Sequence, residues 1–186
     1  MSNIFLSIIY ATSIFSPFLP EKSQDFYKSS PNKSLKYEKL SHLHFYFHNI
    51  VTGPNPTATR VAFSAITNTS SSLFGLVVVI DDPLTVGPEQ SSKQVGRAQG
   101  MFAAASLTEL SFSMVLNYVF TEGKFNGSSL SILGQNPLHS DVREMPVVGG
   151  SGCFRFARGY AEGRTHVIDW ETGDAVVEYN VYVYHY

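Results

Sequence analysis

An amide at the end of an aromatic row is the first chemical feature of this sequence. Segment 44–50 reads HFYFHNI. As a β-strand it alternates between two faces, so Phe45, Phe47 and Asn49 share one side. Aromatic walls with a polar group at one end suit the floor of a pocket for a flat ligand. The same amide could instead be a structural hydrogen-bonding residue.

Arginines within apolar stretches are the second feature. Arg97, Arg143 and Arg158 each lie in or beside such a stretch. Arg143 lies between Asp141 and Glu144, and one interpretation is a loop ion pair, which contributes little stability when exposed. The other is a guanidinium at the mouth of a cavity, where it would hold a phenolate or a leaving oxygen.

The six histidines and the one cysteine do not form a metal-binding or nucleophile pattern. His44 and His48 share a strand face but lie about 13 Å apart at the strand rise, which is too far to share one ion. His42 is closer to His44, yet no cysteine or acid completes a ligand set. Cys153 has no histidine partner in sequence, and the glycine-rich stretch 149–152 lacks the features of a phosphate loop. We therefore predict no metal and no cofactor, and interpret 149–152 as a tight bend before a strand.

The composition favours a well-filled core over a solvated surface. Of 186 residues, 44% are hydrophobic and 15% are charged, against about 25% charged in typical domains. The net charge of −2 gives no electrostatic basis for binding nucleic acid or an anionic membrane. Aromatic residues, mostly Tyr and Phe, make up 13% of the chain and suit strands.

The N-terminal region reads as a secretory signal followed by a linker. Residues 4–19 form an apolar run that is short for a membrane span and similar to the apolar part of a signal peptide. We assign 1–22 to this signal segment and 23–41, rich in Lys, Ser and Pro, to a flexible tether. Residues 42–186 then form one β-barrel domain.

Three Asn-x-Ser/Thr sequons agree with a secretory route, at Asn32, Asn68 and Asn126. Asn68 and Asn126 fall in turns between predicted strands and are the predicted glycosylation sites. The mature protein is therefore expected outside the cell, without a membrane segment.

From residue 42 onward, runs of apolar and aromatic residues alternate with turn residues, which indicates strands. No segment has a helical period long enough for a crossover, so the strands are expected to be antiparallel. A closed barrel would remove exposed edges and leave room inside for side chains or one small ligand. The last strand has large residues on both faces, which favours a partner subunit over part of the outer surface. The eight predicted strands are 43–52, 59–67, 73–82, 95–105, 110–121, 128–135, 154–168 and 174–186.

Six segments, in this order, resemble plant dirigent proteins, and the pterocarpan-synthase branch of legumes in particular. They are HFYFHNI, GLVVVIDDPLT, SSKQVGRAQGMFAAAS, FTEGKFNGSSLSILGQN, VREMPVVGGSGCFRFARGYA and TGDAVVEYNVYVYHY. The resemblance spans about residues 42–186. It implies an all-β fold, an eight-stranded antiparallel closed barrel with a ligand pocket inside, assembled as a trimer and secreted to the apoplast.

The resemblance also implies a role in phenylpropanoid or isoflavonoid biosynthesis. Dirigent proteins bind phenoxy radicals or quinone methides and control the stereochemistry of their coupling or cyclisation, while a separate oxidase makes the radicals. The pterocarpan branch instead acts as a carbon–oxygen lyase, removing water from an isoflavanol and closing a ring through a quinone methide. A carrier that holds a phenolic ligand without reaction is the third alternative, so the sequence leaves open whether the protein is an enzyme.

Site residues follow from the same resemblance. Asn49 and Phe102 stand where the family usually has Asp and Tyr, and Asn136 stands where some lignan-forming members have Asp. An amide does not titrate usefully and Phe lacks a hydroxyl, so we expect dehydration to be weak, altered or lost unless an acid comes from elsewhere. The expected catalytic residues are Asn49, Phe102 and Arg143, and the expected substrate contacts are Phe45, Phe47 and Asn136.

Overall fold

Nine β-strands and three short 3₁₀ helices make up most of the described part of the chain. The computed structural model describes residues 37–186, so the predicted signal segment and most of the predicted tether lie outside it. Within residues 37–186 there is no helix long and apolar enough to cross a membrane. The strands are β1 Lys39–Asn49, β2 Ala58–Ala62, β3 Val77–Thr85, β4 Gln94–Ala104, β5 Ser111–Phe120, β6 Ser129–Pro137, β7 Arg143–Ser151, β8 Arg158–Ile168 and β9 Ala175–His185, and the 3₁₀ helices are Ala65–Thr69, Gly123–Phe125 and Gly152–Phe154.

Eight of these strands close into an antiparallel barrel, which confirms the predicted fold class. From β3 to β9 each strand pairs with its sequence neighbours, β9 pairs with β1, and β1 closes the ring onto β3. The ninth strand, β2, pairs with β3 through Ala58 and Ile80, beyond the point where β1 ends. Closure leaves no free edge in the ring of eight strands.

The structure confirms the predicted number of barrel strands. The segments that form the barrel differ from the prediction at β7 and at predicted strand 59–67. Strand β7 was interpreted as a loop and a bend because Pro146 and two glycines lower the apparent strand propensity. The β6–β7 ladder ends at Ile132 and Val147, beside Pro146, so the missing proline N–H breaks no bond of that ladder. Conversely, predicted strand 59–67 contributes only the extra strand β2, and β1 begins at Lys39, inside the predicted tether.

Aromatic side chains fill the centre of the barrel. Phe45, Tyr118 and Tyr179 are each at most 1% exposed. Their ring centroids lie 5.2 to 6.0 Å apart at tilted or edge-on angles, an arrangement that adds to the free energy of burial. Burial of each such side chain contributes about 2–3 kcal/mol. This cluster fills the middle of the barrel with side chains.

Gly100 permits close contact between β4 and β5. Its φ is +151°, and a Cβ there would lie 2.1 Å from the carbonyl oxygen of Val115. We therefore expect Gly100→Ala to lower the free energy of unfolding by about 2 kcal/mol or more, measured by urea denaturation. Gly149→Ala is the matched control, because a Cβ at that position meets nothing within 4 Å. An equal loss in both variants would contradict the explanation.

Candidate active site at one end of the barrel

A cavity of about 290 Å³ opens at the end of the barrel where β1 and β8 finish and β3 begins. Its size is near the lower limit of typical ligand pockets, about 300 Å³. Segment 168–173, which contains Trp170, borders the cavity. The inward-facing wall is apolar and comprises Ala58, Leu76, Val78, Phe102 and Phe112.

Asn49 and Phe102 both line this cavity. The Nδ2 of Asn49 donates a hydrogen bond to the carbonyl of Gly173 at 3.1 Å, while its Oδ1 is buried without a partner among the described residues. Phe102 packs against Phe112 with 4.8 Å between ring centroids. The cavity therefore offers a ligand the unpaired Oδ1 of Asn49 and aromatic rings that include Phe102 and Phe112, with charged residues elsewhere on its lining.

Arg143 lies at the same end of the barrel but faces a neighbouring polar cavity of about 410 Å³. It belongs to β7 rather than to a loop, is 2% exposed, and makes no ion pair with Asp141 or Glu144 within residues 37–186. Its Nη1 donates to Thr165 Oγ1 at 2.6 Å, and its Nε has no partner in the described chain. Burial lowers the pKa of the guanidinium, and the nearby Tyr179 opposes this.

The three expected substrate contacts are buried in the interior. Phe45 packs between Tyr118 and Tyr179 in the core, and Phe47 packs edge-on against Tyr179. Asn136 is 7% exposed, and its Nδ2 lies 3.8 Å from Met114 Sδ. None of the three lines the 290 Å³ cavity. The pairing of Asn136 with Phe112 nevertheless places it at the same end of the barrel.

Asp82 is the functional candidate that the sequence analysis missed. It is fully buried on the inward face of β3, in line with Val78 and Ile80. Thr57 Oγ1 donates a 2.5 Å hydrogen bond to its Oδ1, and its Oδ2 has no partner among residues 37–186. The signal was present in VVVIDDPLT, because strand alternation places the second aspartate on the apolar face.

The buried position of Asp82 favours the neutral form of its carboxyl. Burial raises its pKa to about 8, against the hydrogen bond from Thr57 and the charge of Arg97, which both lower it. A carboxylic acid held neutral in an apolar site can donate a proton to a substrate. The β1–β3 register pairs Phe47 with Leu84. Continued by two residues, this register would place Asn49 beside Asp82.

Unpaired polar atoms are concentrated inside the barrel. An unpaired buried polar atom costs about 1–3 kcal/mol, so native proteins rarely retain several. In the described part of the chain six such side-chain atoms have no partner, and five of them belong to residues already placed in the interior. Hydrogen-bonding capacity of this kind is met by water or by a polar ligand. The five are Asn49 Oδ1, Asp82 Oδ2, the Tyr118 hydroxyl, Asn136 Oδ1 and Arg143 Nε.

The buried carboxyl should make the stability of the protein depend on pH. Its ordinary pKa is 3.8, so between about pH 4 and 8 the folded chain holds a proton that the unfolded chain has lost. The free energy of unfolding should therefore fall as pH rises through this window, by up to about 1.4 kcal/mol per unit. Urea denaturation at several pH values should show this slope in the wild type and lose it in Asp82→Asn.

Comparison of these two proteins removes the contribution of other groups. Burial lowers the pKa of His48, so His48 makes stability rise with pH below its ordinary pKa, the opposite sign. It is present in both proteins and cancels in the difference. If the free energy of unfolding depends on pH in the same way in wild type and Asp82→Asn, the pKa of Asp82 is not raised by folding and the prediction is wrong.

In the described part of the chain, the side chains that commonly bind metal ions do not come together in one place. His44 Nε2 lies 2.7 Å from Glu178 Oε1, and His42 Nε2 lies 2.8 Å from Asn180 Oδ1, both on the outer surface. Over residues 37–186 there is no group of three or more His, Cys, Asp or Glu side chains that could hold a metal ion.

Comparison with known proteins agrees with this architecture. The chain is 51% identical to Dirigent protein 21 of Arabidopsis thaliana over 182 residues, covering 98% of this chain and 94% of that protein. It is 53% identical to Pterocarpan synthase 1 of Glycyrrhiza echinata over 150 residues, covering 80% of each. The solved structure of the pterocarpan synthase dirigent protein GePTS1 superposes with a TM-score of 0.78 at 50% identity, covering 86% of this chain and 89% of that one.

The family comparison covers the whole barrel. The family model described as Dirigent-like protein matches residues 40–184, which begin in β1 and end in β9. The chain therefore belongs to the dirigent-like protein family.

Proposed function

We propose that this protein binds a phenolic radical or quinone methide at the end of the barrel and controls the stereochemistry of its coupling or cyclisation. The observation that carries the proposal is a cavity with an apolar wall that is also lined by Asn49, whose buried Oδ1 has no partner among residues 37–186. An apolar wall accepts a flat ring, and fixed polar atoms accept its hydroxyl groups in one orientation.

Orientation alone can determine the product. Phe102 and Phe112 would hold the ring of the substrate, and Asn49 Oδ1 would accept a hydrogen bond from a phenol. With one face of the reactive carbon covered by the wall, bond formation occurs on the other face. For radical coupling, a separate oxidase would remove the electron from the phenol, and the barrel would act on the radical that results.

A lyase of the pterocarpan-synthase type is the second candidate, and the neutral Asp82 favours it. Asp82 would protonate the leaving hydroxyl of an isoflavanol, and the C–O bond would break with release of water. Loss of the proton of the conjugated phenol to water would give a quinone methide, with Arg143 stabilising phenolate character. A second phenolic oxygen would then add to the electrophilic carbon and return its proton to the Asp82 carboxylate. Water would return a proton to the conjugated phenolate that re-forms, so the ring closes with net loss of one water and no oxidation.

We further propose that the protein acts as a secreted homotrimer in phenylpropanoid or isoflavonoid metabolism, including lignan or pterocarpan formation in plant defence. Asn68 and Asn126 are exposed, as glycosylation requires. A row of outward-facing apolar residues crosses four neighbouring strands, and each residue of the row is about half exposed. The row offers a surface to another subunit. The row consists of Val79, Met101, Val115 and Leu133.

Two reaction mixtures distinguish the candidates. One contains the protein, a monolignol and an independent oxidase, and the other contains the protein and an isoflavanol alone. An enantiomerically enriched coupled product in the first supports stereocontrol, and ring closure in the second supports the lyase. Saturable binding without either reaction indicates a carrier, and the absence of all three would contradict the proposal.

Ligand binding should be visible in the fluorescence of Trp170. It is the one tryptophan of the chain and lines the cavity. We expect a phenolic ligand to quench its emission saturably, because the ring would lie within a few ångströms of the indole. Phe102→Trp fills the cavity with a larger side chain and should weaken the titration. If the added indole leaves the ligand affinity unchanged, the ligand binds elsewhere.

A further inference from the structure

Thr57 contacts the unusual carboxyl from a segment outside the barrel ring. It precedes β2, and its backbone is held on both sides. Its N–H donates to the carbonyl of Ile50 at 2.8 Å, and its carbonyl accepts from Asp81 N–H at 2.9 Å. These bonds keep its side chain directed at Asp82, where the hydroxyl donates to Oδ1.

The hydrogen bonds of this hydroxyl determine where the acid proton resides. Thr57 Oγ1 accepts a 3.3 Å bond from the N–H of Ile50, which leaves its own hydrogen free to donate. Within residues 37–186 the acceptor for that hydrogen is Asp82 Oδ1. Oδ1 therefore serves as an acceptor, and the proton of the neutral acid belongs on Oδ2. If the proton were on Oδ1 instead, the hydroxyl hydrogen of Thr57 would have no acceptor and the lone pairs of Oδ2 would have no donor.

We propose that Thr57 is a positioning residue that confines the acid proton of Asp82 to Oδ2, the oxygen left free to deliver it to the substrate. The proposal rests on the lyase function proposed above. In the reaction Oδ2–H would transfer its proton to the leaving hydroxyl, and Thr57 would stabilise the resulting carboxylate through Oδ1. Without the donor, the proton would distribute over both oxygens and the side chain would lose its fixed rotamer.

Other charges around Asp82 are few and lie at known positions. Asp81, on the same strand, and Arg97, on β4, act on it electrostatically and in opposite senses. Arg97 Nε binds Asp81 Oδ1 at 2.6 Å, so the two largely offset each other. The other buried titratable side chains of the described barrel are Tyr118, Tyr179, Arg143, His185 at the far end of β9, and His48, which bonds Thr85 on the strand of Asp82. None of these groups changes when Thr57 is replaced, so a shift in the titration of Asp82 would report on the lost hydroxyl.

The test is a pH titration of the Asp82 carboxyl by NMR of protein labelled at aspartate carboxyl carbons. The resonance absent from Asp82→Asn identifies Asp82. Thr57→Val keeps the β-branched shape but removes the donor, so the midpoint should move upward by about one pH unit. Thr57→Ser should restore the midpoint to near that of the wild type. Thr59→Val, the same change at an exposed position of β2, should leave it unmoved.

Turnover gives the second readout. Thr57→Val should reduce the rate of isoflavanol loss by about tenfold or more, and Thr57→Ser should recover most of it. The alkaline limb of the rate profile should shift upward in Thr57→Val together with the NMR midpoint. A structural defect alone would lower the rate without moving the limb.

The outcomes separate this inference from the proposed function. If the wild-type resonance titrates near pH 8 but Thr57→Val does not shift it, the positioning role of Thr57 is wrong and the acid remains. If Asp82 titrates near its ordinary pKa, the acid assignment is wrong. If Thr57→Val does not fold, the wild-type protein still tests the proposal. The proposal requires that the Thr57 hydroxyl proton exchange slowly with water below pH 8 and give an NMR signal. Absence of that proton signal would overturn it.

Discussion

Asp82→Asn should lower the rate of isoflavanol dehydration by about 10²- to 10⁴-fold, the usual effect of removing a positioned general acid. The substitution keeps the size of the side chain and an oxygen for Thr57 but removes the transferable proton. Because the acid acts on the leaving group in the transition state, kcat should fall with little change in KM. The wild-type rate should itself decline above about pH 8, where Asp82 ionises.

Asp81→Asn is the matched control for this prediction. It makes the same change one residue earlier, on the outward face, where the carboxylate is about half exposed and paired with Arg97. Such surface pairs contribute at most about 1 kcal/mol, so turnover should remain close to that of the wild type. Dehydration by Asp82→Asn at the wild-type rate would show that the proton comes from another group.

Arg143→Met should lower turnover by about 10²- to 10³-fold, the typical effect of removing one donor from a developing anion. Methionine retains much of the length and apolar character of the arginine side chain but removes the charge and the unpaired Nε. The rate of ring closure measures the effect, and enantiomeric excess in the oxidase mixture measures the loss of orientation. Arg143→Lys should recover only part of the rate, because a point charge lacks the planar fork of donors.

The control for Arg143 lies at the opposite end of the barrel. Arg155 follows the 3₁₀ helix Gly152–Phe154, beyond the far end of β7, and is exposed. Arg155→Met changes the net charge equally but should leave both assays unchanged. A similar loss in the two variants would indicate a general electrostatic effect of net charge rather than a local role of Arg143.

The geometry changes the expectation attached to Asn49 and Phe102. With an amide and a phenyl ring at the family's Asp and Tyr positions, the sequence favoured weak or lost dehydration. Under the lyase function proposed above, the proton comes from the buried Asp82 on β3, so it does not depend on residue 49. Asn49 Oδ1 and the Phe102 ring instead shape the cavity, which assigns them to binding and orientation under the proposed function.

The sequence by itself determined the architecture because closure depends on local patterns repeated along the chain. Alternating apolar residues between turns specify antiparallel strands, and eight of them with no crossover helix can satisfy their edges by closing. The identity of individual strands was less certain. In β7, Pro146 and the glycines read as a loop, and only the neighbouring strands β6 and β8 show that the chain there is extended and paired.

The properties of the candidate site residues follow only from the tertiary structure. Strand alternation could place Asp82 on an apolar face, but its raised pKa depends on the strands that exclude water, and the hydroxyl that opposes this shift comes from Thr57, 25 residues earlier in the chain. Likewise, the row of Phe45 and Phe47 was visible in sequence, yet the stagger of the barrel buries both rings in the core and leaves Phe102 and Phe112 to line the cavity. Burial and the pairing of polar atoms arise from contacts between distant segments, so no local pattern can specify them.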